Sequence, residues 1–429
     1  LWPLRDDGDE DAHFSEAVLQ YEMEDAAPLT KSGDTKLPEE DVLELVEGDE
    51  DKHYIDIINR HELQEIFGGD HVISKLLPIT KDRFDATTKK YVKKTRTALG
   101  LKASGVSKRT ILRRTGVLPR ATDAISNLMA LLYDASLAGN KELVEQLVMD
   151  VIDAYWLIPN KPGERKWFIA RVGELFAVWL RTPQGSRDAG LTWATIVSLV
   201  GRCLLSLFPA EPNSKHKAAT TMLMQIYVDD PWCAARGTRE QIDTQFAVVA
   251  AVWLILGFPM AFHKASRGPK VNWTGITISL LEDGVLAEVM DEKVEEVKAI
   301  TTELLAGNVI PKDKLRTYVG KIESMASLLY ALKPFISPLW AALHADAGQA
   351  PYNCIWKSMV VTSLEWLACF FSLCQPGPLK RYFYMNAHFN HGSKVMITTD
   401  AAPWGFGGYL LIDFVITGYF ICKITKLDQ

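Results

Sequence analysis

The spacing of apolar and polar residues along the chain predicts a succession of helices and strands. Apolar side chains recur every three to four residues in several stretches, which is the period of an amphipathic helix. These stretches are Asp123–Leu137, Lys141–Val148, Leu191–Phe208 and Gln241–Leu256. Patterns rich in β-branched or alternating residues predict strands at His71–Leu77, Lys93–Leu101, Met222–Val228 and Val271–Leu280, and a pair of strands around Gly173 within Trp167–Leu180.

The C-terminal part of the chain continues the same mixture. Residues 287–306 and 312–332 predict two amphipathic helices, and Pro311 suits the first helical position of the second. Val395–Thr399 and Tyr409–Phe420 predict strands. Because strands and helices are segregated along the chain, the pattern indicates an α+β fold.

Charge is distributed unevenly over the 429 residues. The first 70 residues hold 22 acidic and 5 basic side chains, whereas the whole chain has a net charge of −6. Few apolar positions and no sustained period occur there, so we expect residues 1–70 to form an acidic, partly disordered lead-in. The rest of the chain is therefore net basic, a fact that the total charge conceals.

A basic segment follows this lead-in. Residues 81–120 contain 13 Lys and Arg side chains but 2 acidic ones, Asp82 and Asp85. The strands on either side predict a β-hairpin with its turn at Asp85–Thr88. A basic hairpin of this kind favours contact with phosphate groups.

Composition narrows the class of protein. With 48% hydrophobic and 23% charged residues, the chain is neither collagen-like nor wholly disordered. Its six cysteines lack metal-binding spacing, which indicates reduced thiols and a cytoplasmic or nuclear location. We expect no signal peptide and no membrane span of about 20 apolar residues, and the start at Leu1 suggests a piece of a longer product.

Three aspartates carry the candidate chemistry. Asp150 follows the apolar run Leu147–Met149, and Asp229–Asp230 follow the run Met224–Val228. Aspartates are rarely buried unless they are paired or hold a metal ion. Two such strands side by side would hold a pair of Mg²⁺ ions for in-line phosphoryl transfer. An Asp-Asp pair by itself is also typical of a turn.

Five motifs in order extend this hypothesis. They are Met149–Pro159, Arg181–Arg187, Ile226–Asp230, Leu256–Lys264 and Val271–Gly275. They resemble the first palm motif, the Pro-Gln-Gly motif, the Tyr-x-Asp-Asp box and the two following segments of reverse transcriptases of the retroviral and retrotransposon type. The resemblance implies a right-hand polymerase of fingers, palm and thumb. It also implies RNA-directed DNA polymerase activity, a nucleotidyltransferase reaction that extends a primer with dNTPs on an RNA or DNA template.

The resemblance divides the chain into further parts. It implies fingers and palm over 71–285, thumb and connection helices over 286–390, and a truncated ribonuclease H-like α/β segment over 391–429. Ile397–Gly408 is similar to the opening strand and turn of a ribonuclease H domain, with Asp400 as its remnant acidic residue. Because few residues follow Asp400, we expect no complete ribonuclease H activity. Other segments of a Pol polyprotein are implied as partners, and a membrane is not.

Roles of single residues follow from the same resemblance. Asp150, Asp229 and Asp230, with the backbone carbonyl of Val151, are implied as ligands of two Mg²⁺ or Mn²⁺ ions. Lys264 is implied as the general acid for the departing pyrophosphate, and Tyr155 as an aromatic gate against a 2′-hydroxyl. The other implied nucleotide contacts are Asp153, Ala154, Gln184, Gly185, Arg96 and one of Lys89, Lys90 and Lys94. The implied template–primer contacts are Tyr227, Trp273 and Gly275.

Alternatives remain open at this point. Leu99–Lys102 lacks the acid that many relatives have before the basic residue, which would weaken nucleotide binding there. A degenerate, inactive copy that only binds nucleic acid is therefore the main alternative. An RNA-dependent RNA polymerase is disfavoured by Tyr155 and by Tyr227, since that class usually has glycine before its Asp-Asp pair.

Overall fold

The computed structural model describes residues 39–85, 90–110, 117–138, 142–208, 221–345, 348, 350–373 and 379–423. Its α-helices are α1 (Glu39–Glu50), α2 (Arg60–Phe67), α3 (Val106–Arg109), α4 (Ala121–Leu137), α5 (Ala189–Ser206), α6 (Arg239–Ile255), α7 (Asp291–Ala306), α8 (Lys312–Ala326), α9 (Lys333–His344), α10 (Val361–Leu373) and α11 (Met385–His388). Short 3₁₀ helices lie at Ala154–Leu157, Pro162–Trp167, Phe262–Lys264, Tyr330–Leu332 and Lys357–Met359.

The strands alternate with these helices along the chain. They are β1 (Ile55–Ile58), β2 (Ile73–Ser74), β3 (Leu76–Asp85), β4 (Lys90–Leu99), β5 (Leu143–Val148), β6 (Ile169–Val172), β7 (Leu175–Trp179), β8 (Met222–Tyr227), β9 (Asp230–Gly237), β10 (Ser266–Gly268), β11 (Lys270–Trp273), β12 (Ile276–Leu281), β13 (Gly284–Val289), β14 (Val309–Pro311), β15 (Cys354–Trp356), β16 (Lys380–Tyr384), β17 (Val395–Ala402), β18 (Gly405–Ile412) and β19 (Val415–Lys423).

The chain divides into two compact units. Unit 1 comprises Leu1–Leu118, Asp150–Leu204 and Ala251–Ala261, and unit 2 comprises Pro119–Met149, Leu205–Ala250 and Phe262–Gln429. The four-part division drawn from the sequence stays a prediction. The mixture of helices and antiparallel sheets agrees with the expected α+β content.

Unit 1 is built on a four-stranded sheet of order β1-β7-β6-β2 and on the hairpin β3–β4. Phe168 and Trp179 lie in its core, together with Val42 and Val46 of α1, each 1% exposed. The two valines are one helical turn apart, so the expectation of no sustained period is wrong for residues 39–50. The expected basic hairpin is confirmed as β3 paired with β4, from Leu76 opposite Leu99 onward. Residues 86–89, where its turn was expected, lie outside the described residues.

Unit 2 contains two four-stranded sheets, of order β10-β5-β9-β8 and β11-β12-β13-β16. Its core joins α4 to both sheets and to the helices α7 to α10, through side chains such as Leu128, Ile278 and Ile322, all 0% exposed. Helix α4 begins where Arg120 N–H donates to the Asp123 carboxylate at 2.7 Å, a contact that caps its first turn. The predicted helix at Asp123–Leu137 is therefore confirmed, with its start two residues earlier.

Strands β17, β18 and β19 form a separate three-stranded antiparallel sheet in unit 2. Gly408 permits the close approach of two strands, because a Cβ there would lie 2.5 Å from the Thr398 carbonyl oxygen. Large apolar side chains on this sheet face solvent, including Trp404 at 76%, Tyr419 at 82% and Ile421 at 81% exposure. The sheet is thus apolar but exposed, unlike the two sheets in the core of unit 2.

Several predicted elements are wrong in type or extent. Lys141–Val148 was expected as a helix, but Leu143–Val148 is strand β5, because it pairs with both β9 and β10. Tyr409–Phe420 was expected as one strand and instead belongs to two, β18 and β19. The helix expected from residue 287 begins at Asp291 because β13 extends to Val289. Pro311 precedes α8 as the residue before its first turn.

Helix α5 departs from the expectation about membrane spans. Within the described residues, α5 is the helix whose 18 residues are long and apolar enough to cross a membrane, and a third of it is buried in the fold. Trp193 contacts the ring of Phe258 at 5.9 Å, and Val197 and Leu204 are also buried. Burial of this face agrees equally with a core helix of a folded unit.

Candidate functional site

The aspartate pair lies at a tight hairpin in unit 2. Strand β8 ends at Tyr227, β9 begins at Asp230, and these two residues pair across the turn formed by Val228 and Asp229. Val228 has a φ of 54°, a left-handed conformation that a β-branched residue rarely adopts. The turn is therefore strained, and it carries two half-buried aspartates at the end of the β8–β9 pair.

Aromatic side chains pack against this hairpin on its buried side. Trp273 is 2% exposed, and its indole N–H donates to the Asp230 carbonyl oxygen at 3.0 Å. Its ring lies 5.9 Å from Trp232 and 6.4 Å from Tyr227, which it meets edge-on. Trp273 was expected to contact a template–primer, and in the structure its side chain holds the hairpin in position.

Burial and charge make the hairpin suited to a cation. Burial, reinforced by the neighbouring Asp229 carboxylate, raises the pKa of Asp230 to about 6. A divalent cation would relieve both effects, and carboxylate oxygens are the ligands that Mg²⁺ prefers. Within the part of the chain that the structure describes, no group of three or more His, Cys, Asp and Glu side chains is arranged to hold a metal ion. Mg²⁺ sites commonly combine one or two carboxylates with water and substrate phosphates, so the donor set fits such an ion.

The strand that leads toward Asp150 lies next to the same hairpin. In unit 2, β5 pairs antiparallel with β9, so that Val148 is opposite Trp232. The amide of Met149 then donates to the Pro231 carbonyl oxygen at 3.0 Å, one residue beyond Asp230. Asp150 is the next residue of the chain after Met149. The register of this sheet therefore places the end of β5 beside the start of β9, within unit 2.

The segment from Asp150 onward is described within unit 1. The Asp150 carbonyl oxygen accepts from Ala261 N–H at 2.8 Å, and the amide of Ile152 donates to the Pro259 carbonyl oxygen at 2.9 Å. Asp153 has a φ of 50°, which turns the chain into the 3₁₀ helix Ala154–Leu157. The left-handed residue therefore lies two positions after Val151, at the point where the 3₁₀ helix begins.

A cavity of about 450 Å³ opens in unit 1 beside this turn. Three residues that the sequence analysis assigned to nucleotide binding line it together: Arg96, Asp153 and Gln184. Arg96 extends from β4, Asp153 precedes the 3₁₀ helix, and Gln184 belongs to the Pro-Gln-Gly loop. The fold thus brings Arg96 and Gln184, which are 88 positions apart in the sequence, to the same cavity.

The Pro-Gln-Gly loop is attached to the end of β4. The amide of Leu99 donates to the Gln184 carbonyl oxygen at 3.0 Å. Gly185 has a φ of 99°, and a Cβ there would lie 2.6 Å from the Leu99 carbonyl oxygen. Glycine is therefore required by backbone conformation and by space.

Gly100 has a structural explanation of its own. Its amide donates to the Lys75 carbonyl oxygen at 2.8 Å, and a Cβ at this position would lie 3.3 Å from that oxygen. The position that departs from the reverse transcriptase pattern is thus a close approach between the residue before β3 and the residue after β4.

Other predicted site residues lie at separate places. The Tyr155 hydroxyl is 4.0 Å from where a Cβ on Gly190 would be, and Ala154 is 6% exposed. Lys264 ends the 3₁₀ helix that precedes β10 in unit 2, and Gly275, with a φ of 78°, turns β11 into β12. Lys89 and the side chains of Lys90 and Lys94 lie outside the described part of the chain. Asp400 is exposed on β17, and its carboxylate accepts from the amide of Ala401 at 2.9 Å.

Sequence reasoning missed the wall of the cavity that comes from residues 41–54. Asp41, Glu44, Asp49, Lys52 and Tyr54 all line it. Tyr54 hydrogen-bonds to Asp153; burial, followed by the charge of Asp153, raises the pKa of the Tyr54 hydroxyl. The apolar spacing of Val42 and Val46 was the signal that could have identified this segment as folded.

The fold is similar to that of retroviral reverse transcriptases. A foamy viral protease-reverse transcriptase in complex with double-stranded DNA superposes with a TM-score of 0.51 and 14% identity over 90% of this chain. The same kind of enzyme in complex with an RNA/DNA hybrid gives a TM-score of 0.49 and 14% identity over 91% of this chain. This chain spans 56% of the length of the first of these proteins and 43% of the second.

Sequence comparisons add no family assignment. No family model and no curated protein matches the chain. At 14% identity, the similarity to solved structures describes a reverse transcriptase-like fold. The chemistry of the site rests on the residues described above.

Proposed function

We propose that the chain is an RNA-directed DNA polymerase of a retroelement, which extends a primer with dNTPs on an RNA or DNA template. The observation that carries this proposal is the register of the β10-β5-β9-β8 sheet. In that sheet the strand before Asp150 lies beside the strand that begins at Asp230. The fold similarity supports the same class of enzyme.

The three aspartates would hold the catalytic metal. Asp150, Asp229 and Asp230, with the carbonyl oxygen of Val151, provide the hard oxygen donors that two Mg²⁺ or Mn²⁺ ions require. Such ions lower the pKa of the attacking primer hydroxyl and neutralise charge on the departing pyrophosphate. The strained turn at Val228 and the indole of Trp273 keep Asp229 and Asp230 in place for this role.

The cavity of unit 1 would receive the triphosphate. Arg96 supplies a charge-assisted donor to phosphate oxygens, and Gln184 and Gly185 brace the nascent pair through backbone that approaches closely. Asp153 and Ala154 offer backbone amides at the turn after Val151. Tyr155 excludes a ribose 2′-hydroxyl by its ring, so that deoxynucleotides are selected.

The remaining residues act on the primer and the leaving group. Lys264 donates a proton to the departing pyrophosphate. The hairpin β11–β12, with Gly275 at its turn, and Tyr227 position the primer end, while Trp273 supports them from the core. An RNA/DNA duplex is the macromolecular partner, and other parts of a Pol polyprotein complete the assembly. Asp400 is a remnant of ribonuclease H chemistry.

Primer extension tests the proposal directly. The protein is given poly(rA)/oligo(dT), dTTP and either Mg²⁺ or Mn²⁺, and extension is followed on a gel. We expect extension by the unmodified chain and a loss of at least about a hundredfold in Asp229→Asn and in Asp150→Asn, because each removes an anionic metal ligand. Tyr155→Val should increase incorporation of ribonucleotides while extension with dTTP persists.

The controls separate catalysis from binding. Glu240→Gln changes an exposed carboxylate in the first turn of α6 and should leave extension unchanged. If the unmodified chain binds the duplex but extends nothing with either ion, the polymerase proposal fails and the alternative, a nucleic-acid-binding protein without catalysis, is supported. If Tyr155→Val leaves ribonucleotide incorporation unchanged, the gate assignment fails.

A further inference from the structure

Helix α1 is a fixed part of the wall of the cavity. Val42 and Val46 anchor it in the core of unit 1. The Glu50 carboxylate accepts from Ile57 N–H at 2.8 Å, which ties the end of the helix to β1. The carboxylate of Asp49 also accepts from the Thr97 hydroxyl at 2.7 Å. The helix is therefore held against β4 without any ligand.

The charges around the cavity are mixed, with acids in excess. Its lining includes four carboxylates, those of Asp41, Glu44, Asp49 and Asp153, and two cations, those of Lys52 and Arg96. Three of the four carboxylates belong to α1. A cavity intended for the tightest binding of a polyanion would show the opposite balance.

We propose that the carboxylates of α1 make the cavity selective for ligand charge: they oppose a free triphosphate more strongly than a triphosphate that carries its divalent cation. The proposal rests on the proposed function, since it concerns the same cavity. Coulomb repulsion scales with the charge of the ligand, which is about −4 for a free nucleoside triphosphate and about −2 for its Mg²⁺ complex. The repulsion energy is therefore about twice as large for the free form as for the complex. If the carboxylates weaken the affinity for the complex by a given factor, they weaken the affinity for the free form by about the square of that factor.

The magnitude follows from Coulomb's law with screening. For carboxylates roughly 10 Å from a ligand in partly hydrated surroundings, screening reduces each repulsion to a few-fold effect on affinity. Removing two charges should then tighten binding of free dTTP about tenfold and of Mg·dTTP about threefold. By the same scaling, Arg96 and Lys52 attract the free form more strongly and offset part of this repulsion in the unmodified chain. Variants that keep both cations therefore measure the contribution of the carboxylates alone.

Equilibrium binding tests the proposal without requiring catalysis. Calorimetric titrations of the full chain with dTTP, and with inorganic tripolyphosphate, are performed in EDTA and in Mg²⁺. The double variant Asp41→Asn/Glu44→Gln removes two charges at exposed positions of α1, and Asp49→Asn removes the third while keeping an oxygen for the Thr97 hydroxyl. Glu47→Gln is the matched control, because Glu47 is exposed on the same helix but does not line the cavity.

The expected result is tighter binding in both variants, with a larger gain in EDTA than in Mg²⁺, and less than a twofold change in the control. Equal gains in both conditions, no gain, or an equal gain in Glu47→Gln would overturn the proposal, as would absence of binding in every variant. Tripolyphosphate should follow dTTP, since the effect requires phosphate charge and no base. If the chain fails to extend primers yet shows the expected binding differences, the polymerase proposal fails and this one stands.

Discussion

Two groups of carboxylates in this molecule are built in opposite ways. The pair at the turn between β8 and β9 is carried by a strained backbone over buried tryptophans, and burial with mutual repulsion raises the pKa of Asp230 to about 6. The carboxylates of the unit 1 cavity are interspersed with Arg96 and Lys52, and two of them are tied to hydroxyl groups: Asp49 to Thr97, and Asp153 to Tyr54.

This difference shows how one residue type serves two purposes. Adjacent, half-buried carboxylates create a demand for a cation, whereas carboxylates mixed with cations adjust the affinity for an anion. The Asp229–Asp230 pair depends on the tryptophans packed against its hairpin, and the cavity carboxylates depend on helix α1. A substitution in one of these two supports should therefore leave the other group of carboxylates unchanged.

The largest expected effect is on the base of the hairpin. Trp273→Ala removes a side chain that is 2% exposed and the donor to the Asp230 carbonyl. We expect a loss of about 3–5 kcal/mol in the free energy of unfolding, because a large cavity replaces the ring. Urea denaturation followed by circular dichroism measures it. Trp273→Phe retains most of the ring and should lose clearly less; an equal loss would show that the hydrogen bond, and not the packing, is decisive.

The next largest effect concerns the Pro-Gln-Gly loop, which lines the unit 1 cavity through Gln184. Gly185→Ala places a methyl group against the Leu99 carbonyl oxygen at a φ of 99°. We expect a loss of about 2 kcal/mol or more in unfolding free energy, since both backbone conformation and space oppose the side chain. Gly190→Ala is the control, because its Cβ meets an ordinary 4.0 Å contact in a helix. Similar stability of the two variants in thermal denaturation would contradict the steric argument.

A buried carboxylate close to the Pro-Gln-Gly loop gives a pH-dependent prediction. Burial raises the pKa of Asp188, which is 2% exposed, to about 6. Because this value exceeds that of about 3.9 in the unfolded chain, the folded protein binds the proton more tightly, and stability falls as pH rises from about 4 to 6. Asp188→Asn should thus be more stable than the unmodified chain by about 1–2 kcal/mol at pH 7.5. Denaturation at about pH 4.5 should show a smaller difference, and a constant difference would refute this cause.

The smallest effect concerns strain at the hairpin. Val228 occupies a left-handed conformation that asparagine tolerates much better. Val228→Asn should stabilise the folded chain by about 1 kcal/mol. Val228→Ala keeps the backbone penalty and should give no such gain. A loss of stability in Val228→Asn, measured by the urea midpoint, would mean that contacts of the valine side chain outweigh the strain.

The fold was predictable wherever local pattern and tertiary environment agree. The helix at Asp123–Leu137 and the two strands around Gly173 follow from local spacing, and Gly173 has a φ of 59° at the turn between them. Strand β5 was mistaken for a helix because its leucines and valines suit either state, and its partners β9 and β10 are more than 80 residues away in sequence. Helix α1 was overlooked because its acidic composition concealed the spacing of Val42 and Val46.

The candidate site was predictable where its residues belong to recognisable local sequence patterns. The resemblance led to Asp153 and Gln184 through two of the ordered motifs, and to Arg96 through the basic hairpin; all three line one cavity. The acidic wall contributed by α1 could not be inferred, because no motif links residues 41–49 to β4 and only the folded chain brings Asp49 to Thr97. The roles of Asp150, Asp229, Asp230 and Lys264 in catalysis stay predictions for the extension assay.

The three-stranded sheet β17–β19 has a consequence for handling the protein. Its outer strands are the edges of a sheet whose tyrosine, tryptophan and isoleucine side chains face water. Such edges pair with other copies as concentration rises, and broad apolar faces adhere to surfaces. We expect the protein to self-associate through this sheet as its concentration rises, which light scattering of purified samples measures. Ile421→Lys should therefore raise the concentration at which scattering begins to increase, without altering either group of carboxylates.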